Sequence, residues 1–265
     1  MLRERVLSAL VLIPLVIGAA AAGGYLFAAL LLVAALLAAH EYGQLLHLPE
    51  LPALHVSLLA LVALLLADAT WPALGLIRVL IVLAPLTTLA MLIVYQNRPG
   101  SIEKWGLALG GALYLGAAAG AFIRLRATNQ GLPWLVLALA STWACDTGAY
   151  FVGRAWGRHR LAATISPKKS WEGVAGGLVV GVAVVLAIGL GFVTGFLWWH
   201  GLLLGVLVVA AAVVGDLAES VIKRQVGAKD SGQLIPGHGG VLDRIDSLLY
   251  VVPVVYAFAR LVGLD

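Results

Sequence analysis

The sequence is short of charge. Only 11% of its 265 residues are Asp, Glu, Lys or Arg, against 62% apolar, and the mean hydropathy is +1.02. Soluble domains carry about 25% charged residues. So few charges cannot cover a water-facing surface, and a bilayer is the solvent that suits this composition. Cysteine is almost absent. Cys145 stands alone, which excludes an intrachain disulfide. It lies in an apolar run and reads as a small buried hydrophobe. A zinc-protease motif is also missing, because His40-Glu41 is followed by Gln44 where a second histidine is needed. That pair reads instead as polar groups lining a cavity. Gly189-Leu-Gly191 follows no strand, which excludes a dinucleotide fingerprint.

What the chain does have is apolar runs. A spanning helix needs about 20 apolar residues, and nine runs qualify: Val6–Gly23, Tyr25–Leu46, Ala53–Thr70, Leu74–Tyr95, Trp105–Ile123, Pro133–Val152, Gly173–Phe196, His200–Val221 and Ser247–Val262. The expected fold is an all-α integral membrane protein of about nine transmembrane helices with a polar, cytoplasm-facing active-site cavity. The first run resembles a signal peptide, but its length and the runs behind it predict an uncleaved helix. The chain reads as one structural domain with two regions. Residues 1–132 are mostly plain membrane helix. Residues 133–265 hold the polar chemistry, with loops at 153–172 and 222–246. If the N-terminus is cytoplasmic, 13 of the 17 Lys and Arg fall on the cytoplasmic side, and both polar loops lie there. The net charge of +4 suits an anionic membrane face better than nucleic acid. Glycines at four-residue spacing (Gly173, Gly177, Gly181; Gly116, Gly120) predict close helix approach.

Seven of the 13 acidic residues lie between Asp146 and Asp246. Asp146 and Asp216 interrupt apolar runs, where a carboxylate is costly and by default marks a function. Asp68, near a helix end, reads as an internal salt bridge. On a continuing helix Asp216, Glu219 or Ser220, and Lys223 share one face. A glycine-punctuated stretch with Arg224, Lys229 and Asp230 follows. Ile235-Pro-Gly-His-Gly-Gly then offers His238 and backbone N–H groups at Gly239 and Gly240 to phosphate oxygens. Asp243-Arg244-Ile245-Asp246 closes the loop. Its two aspartates, three apart, fall on one helical face if helical and can share metal ions with Asp216. Mg²⁺ takes carboxylates plus substrate phosphates, and phosphoryl or nucleotidyl transfer adds cations such as Lys223, Arg224, Lys229 and Arg244. Ser166-Pro-Lys-Lys-Ser-Trp-Glu-Gly in the other loop places Lys168 and Lys169 at a helix start, an anion site. Arg154, Arg158 and Arg160 serve topology as readily as chemistry. These residues argue for metal-assisted transfer on a phosphate at a membrane surface and leave the substrates open.

Ser220-Val-Ile-Lys-Arg, four residues, then Lys229-Asp-Ser-Gly-Gln-Leu-Ile-Pro-Gly-His-Gly-Gly-Val-Leu-Asp-Arg-Ile-Asp246 resembles the signature of the phosphatidate cytidylyltransferases, the CDP-diacylglycerol synthases. Ser166–Gly173 is similar to the family's Ser-Pro-Lys-Lys-Thr-Trp-Glu-Gly, with Ser170 for Thr. The resemblance implies that CTP and phosphatidic acid give CDP-diacylglycerol and pyrophosphate with Mg²⁺, in a multi-pass protein of the inner (cytoplasmic) membrane that forms a homodimer. It implies metal ligation by Asp216, Asp243 and Asp246; Asp146, a carboxylate inside an apolar run, is a fourth candidate. Lys223, Arg224, Lys229, Asp230, His238 and Arg244 join the catalytic set, and Ser166, Lys168, Lys169, Ser220, Gly239 and Gly240 the substrate-binding set. Two rivals stand beside it: a CTP-dependent polyprenol or phytol kinase, and an ion-coupled transporter using Asp146 and Asp216.

Overall fold

The computed structural model describes residues 14–234 and 239–265. Residues 14–22 are helical, and the chain turns at Gly23 and Gly24, both at positive φ (65° and 53°). Only glycine takes two such steps in succession without strain. The first apolar run therefore ends in a sharp turn; its opening residues, with Arg3 and Arg5, lie outside the described residues. α1 (Gly24–Leu45), α2 (Pro52–Thr70), α3 (Leu76–Ala90) and α4 (Ser101–Arg126) follow. Then come α5 (Gly131–Trp156), strands β1 (Arg160–Ala162) and β2 (Ser166–Ser170), α6 (Trp171–Phe192), α7 (Trp198–Gln225), α8 (Leu242–Ile245) and α9 (Leu248–Leu261).

Among the described residues seven helices are long and apolar enough to cross a membrane. The ninth expected span is shorter than its apolar run. α9 has 14 residues, about 21 Å of helix, against about 30 Å of bilayer hydrocarbon. Loop 153–172 is not irregular either, since β1 and β2 pair antiparallel as a hairpin.

The chain forms two compact units. The first holds the described residues up to Arg124 and those of Val226–Arg244. Glycines on α4 let it meet α2 closely: a methyl group at Gly116 would sit 3.2 Å from the Val62 Cα, and one at Gly120 3.3 Å from the Ala69 Cβ. The Tyr42 hydroxyl donates to the Leu107 carbonyl at 3.1 Å, tying α1 to α4. Asp68 is an internal salt bridge. One oxygen pairs with Arg124 at 2.6 Å and the other accepts the Ile77 N–H at 3.0 Å, at the start of α3. Between α1 and α2, the Glu50 carboxyl lies 2.5 Å from the Lys104 ammonium of α4, which holds it below its ordinary range.

The second unit holds Leu125–Gln225 and Ile245–Asp265. Its core is α5 against α6, packed through glycine. A methyl group at Gly148 would lie 2.9 Å from the Gly176 carbonyl oxygen, one at Gly173 2.9 Å from that of Ala149, and one at Gly177 3.0 Å from that of Cys145. Helix backbones in membranes approach this closely only at small residues. Trp134 is fully buried, with its ring against Phe196 and Phe258, and its indole N–H donates to the Leu264 carbonyl at 2.9 Å.

Candidate functional site

α7 stays helical through Gln225, so Asp216, Glu219, Ser220 and Lys223 fall on one face at three- and four-residue intervals. The Ser220 hydroxyl donates to Asp216 Oδ1 at 3.4 Å, and Lys223 Nζ lies 2.6 Å from Glu219 Oε2. Glu219, Ser220 and Lys223 are buried.

Three further residues of the second unit join this face. Lys169, on β2, forms an ion pair with Asp216. Asp246, between α8 and α9, accepts the Ser247 N–H at 2.6 Å and lies within the field of Asp216 and Lys223. Burial, reinforced by the charge of Asp216, holds the Asp246 carboxyl above the ordinary range. Asp146, on α5, feels the charges of Asp246, Asp216 and Lys169. The second unit thus gathers three aspartates, a glutamate and two lysines.

Lys168 and Lys169 do not open a helix as expected. They lie on β2, and α6 begins only at Trp171, after Ser170, whose hydroxyl accepts the Gly173 N–H at 3.1 Å. An extended strand sends neighbouring side chains to opposite faces. Lys169 therefore reaches Asp216 while Lys168 is exposed. Ser166 opens the same strand, opposite Ala162. Arg224 Nε donates to the Ile165 carbonyl at 3.3 Å. Glu172 accepts the Arg158 and His159 N–H groups and meets the His159 ring at 2.6 Å, pinning the approach to the hairpin.

The first unit holds a cluster of another kind. Asp243 Oδ2 accepts the Ser231 N–H at 2.8 Å, the Ser231 hydroxyl at 2.9 Å and the Gly240 N–H at 2.9 Å. Gly239 stands at φ 82°, and a methyl group there would sit 2.8 Å from that same oxygen, so the turn admits glycine only. Glu41, on α1, is buried and takes the Val241 and Leu242 N–H groups. Hydrogen bonds to a charged group contribute about 1.5–3 kcal/mol each, so the segment around Asp243 is firmly held. Lys229, Asp230 and Arg244 are exposed in this unit. His238 lies outside the described residues.

Asp243 is on α8, which ends at Ile245. Asp246 belongs with Asp216 and Asp146 in the second unit. Among the described residues no three His, Cys, Asp or Glu side chains are arranged as a ready metal site. Glu41 and Ser231 escaped the sequence reading. The available signal was a carboxylate inside the second apolar run, which had been assigned with His40 to a cavity. His40 is in fact exposed, its ring nitrogen 3.2 Å from that of His55.

The model of the family described as the cytidylyltransferase family matches residues 3–262. The chain belongs to the cytidylyltransferase family. A member from Pseudomonas aeruginosa, named phosphatidate cytidylyltransferase, is 37% identical over 99% of this chain and 98% of its own length. One of the same name from Synechocystis is 34% identical over 97% and 96%. A Haemophilus influenzae member, also so named, is 51% identical, but over 47% of this chain and 44% of its own length, so the aligned stretch spans less than half of that relative.

Proposed function

We propose that this cytidylyltransferase-family chain is a membrane enzyme that converts CTP and phosphatidic acid to CDP-diacylglycerol and pyrophosphate. The observation that carries the reading is the Lys169–Asp216 pair beside the buried Lys223–Glu219 pair, with Ser220 between them on α7. Cations alternating with carboxylates suit a reaction in which charge moves among phosphate oxygens. A phosphate oxygen of phosphatidic acid forms a bond to the α-phosphorus of CTP. The bond from that phosphorus to the bridging α–β oxygen breaks, and its electrons leave with pyrophosphate. The attacking oxygen is already anionic near neutral pH, so no strong general base is needed, and alignment with charge neutralisation supplies the catalysis.

In this reading Lys169 and Lys223 take charge from the phosphates and Ser220 orients an oxygen; Lys168 and Arg224, exposed in the same unit, are further phosphate-binding candidates, as are Lys229 and Arg244, exposed in the first unit. Asp146, Asp216 and Asp246 are hard oxygen donors of the kind Mg²⁺ takes, and Asp243 is the remaining candidate. The Lys169 ammonium already paired with Asp216 supports giving this carboxylate a cation-binding role. Mg²⁺, when bound, would offset negative charge on the substrate oxygens. The expected setting is the inner membrane, with the polar loops cytoplasmic and the chain a homodimer.

The test is lipid-dependent pyrophosphate release. Full-length protein in detergent or nanodiscs should release pyrophosphate from CTP only with both phosphatidic acid and Mg²⁺. Label from the α-phosphate should then enter the lipid. Entry of γ-phosphate label instead would make the chain a lipid kinase and sink the reading.

A further inference from the structure

Glu41 has no part in the reaction as proposed, yet its surroundings are those of a residue held for a purpose. It sits near the end of α1, one of the helices long enough to span a membrane, and is only 3% exposed. Its two oxygens are divided between donors from the far end of the chain. Oε1 takes the Val241 N–H at 3.0 Å; Oε2 takes the Leu242 N–H at 2.9 Å and lies 3.2 Å from the Ser231 hydroxyl. That hydroxyl is also 2.9 Å from Asp243 Oδ2. Gly232 packs against the same carboxylate, so closely that a methyl group there would sit 2.7 Å from Oε1. Glu41 and Asp243 thus hold one serine between them, and two backbone N–H groups just before Asp243 are fixed to α1.

We infer that Glu41 is a positioning residue for the reaction: it fixes the backbone at Val241–Leu242 and, through Ser231, the Asp243 carboxylate. The inference rests on the nucleotidyl-transfer reading. The carboxylate is specific to the task. Val241 and Leu242 donate to different oxygens, so a glutamine would turn its NH₂ toward one of two N–H groups, donor against donor. The residues so anchored belong to the signature, not to a neutral loop. The N-terminal membrane region thereby gains a role in the chemistry that its apolar sequence conceals.

The test uses full-length wild type, E41Q and S231A in nanodiscs, with three readouts: backbone amide exchange of the Gly240–Asp243 peptide, kcat and KM for CTP, and thermal midpoint. For E41Q, exchange in this peptide should rise about tenfold or more while peptides from α2–α4 keep their wild-type rates. Its kcat should fall about 10²-fold with KM for CTP within about threefold, because the loss is one of alignment. S231A keeps both backbone anchors and should show the same pattern with a smaller loss, about three- to tenfold. Unchanged kcat per folded molecule, or a fall in kcat without faster exchange at Gly240–Asp243, overturns the inference. So does faster exchange spread evenly over α2–α4, which would mark a general support of the fold. If E41Q does not fold, S231A decides by the same criteria. Wild type that releases no pyrophosphate from CTP and phosphatidic acid defeats the nucleotidyl-transfer reading instead, while the exchange data still decide whether Glu41 holds the segment.

Discussion

The two polar clusters use the same residue types for different ends. In the first unit, Glu41 and Asp243 are satisfied by N–H and O–H donors of the chain itself. In the second, Asp216 and Glu219 face lysines, and Asp246 stands under the charge of Asp216. Carboxylates bound to backbone donors fix a shape and have little to exchange with a ligand. Carboxylates paired with ammonium groups can trade partners when phosphates or cations arrive. The comparison teaches that acidic content alone does not separate holding from handling; the nature of the donors does.

The sharpest way to break this contrast is at Asp216 and Asp246. Either D216N or D246N should lower turnover by about 10³-fold, the scale of losing a preorganised electrostatic group, in pyrophosphate-release assays, with the thermal midpoint little changed. Residual activity near wild type would remove the second unit's claim to the chemistry. Next is K169M, which keeps the aliphatic stem and removes the charge from Asp216. A loss of about 10²-fold is expected, and activity recovered by K169R would show that a cation, not packing, is what β2 delivers. D243N should cost less, about 10- to 50-fold through misalignment, and should speed amide exchange at Ser231 and Gly240. A loss as deep as that of D246N with unaltered exchange would move Asp243 from the holding group to the handling group. Smallest is G177A. A methyl group pressed against the Cys145 carbonyl should cost about 1–3 kcal/mol of stability, read as a lower thermal midpoint, with kcat per folded molecule reduced severalfold at most.

Some of this was legible in the sequence and some was not, for physical reasons. The shared face of Asp216, Ser220 and Lys223 follows from helical spacing alone, and α7 runs unbroken through all three. The glycine contacts of α5 and α6 follow from the four-residue spacing of Gly173 and Gly177. Lys168 and Lys169 were misplaced because Ser-Pro before an apolar run looks like a helix start, whereas the hairpin with Arg160–Ala162 keeps the strand extended up to Ser170. Asp243 lies on α8 and Asp246 just past its end at Ile245, so the helical spacing that places Asp216 and Ser220 does not extend to this pair. Glu41 was hidden because its partners lie about 200 residues away, and no local pattern announces a tertiary hydrogen bond.

The shortness of α9 has a consequence for the lipid environment. At about 21 Å it falls about 9 Å short of typical hydrocarbon thickness, and Asp246 stands just before its first turn. Were α9 to cross the bilayer, a mismatch of this size would call for local thinning, snorkelling of flanking residues or oligomerisation, and thinning is the response with a consequence for the site. Headgroups and water would then dip toward Asp246 rather than the carboxylate rising to meet them. Membrane thickness becomes a kinetic variable: turnover should be faster in bilayers of shorter acyl chains than in thick ones of the same headgroup.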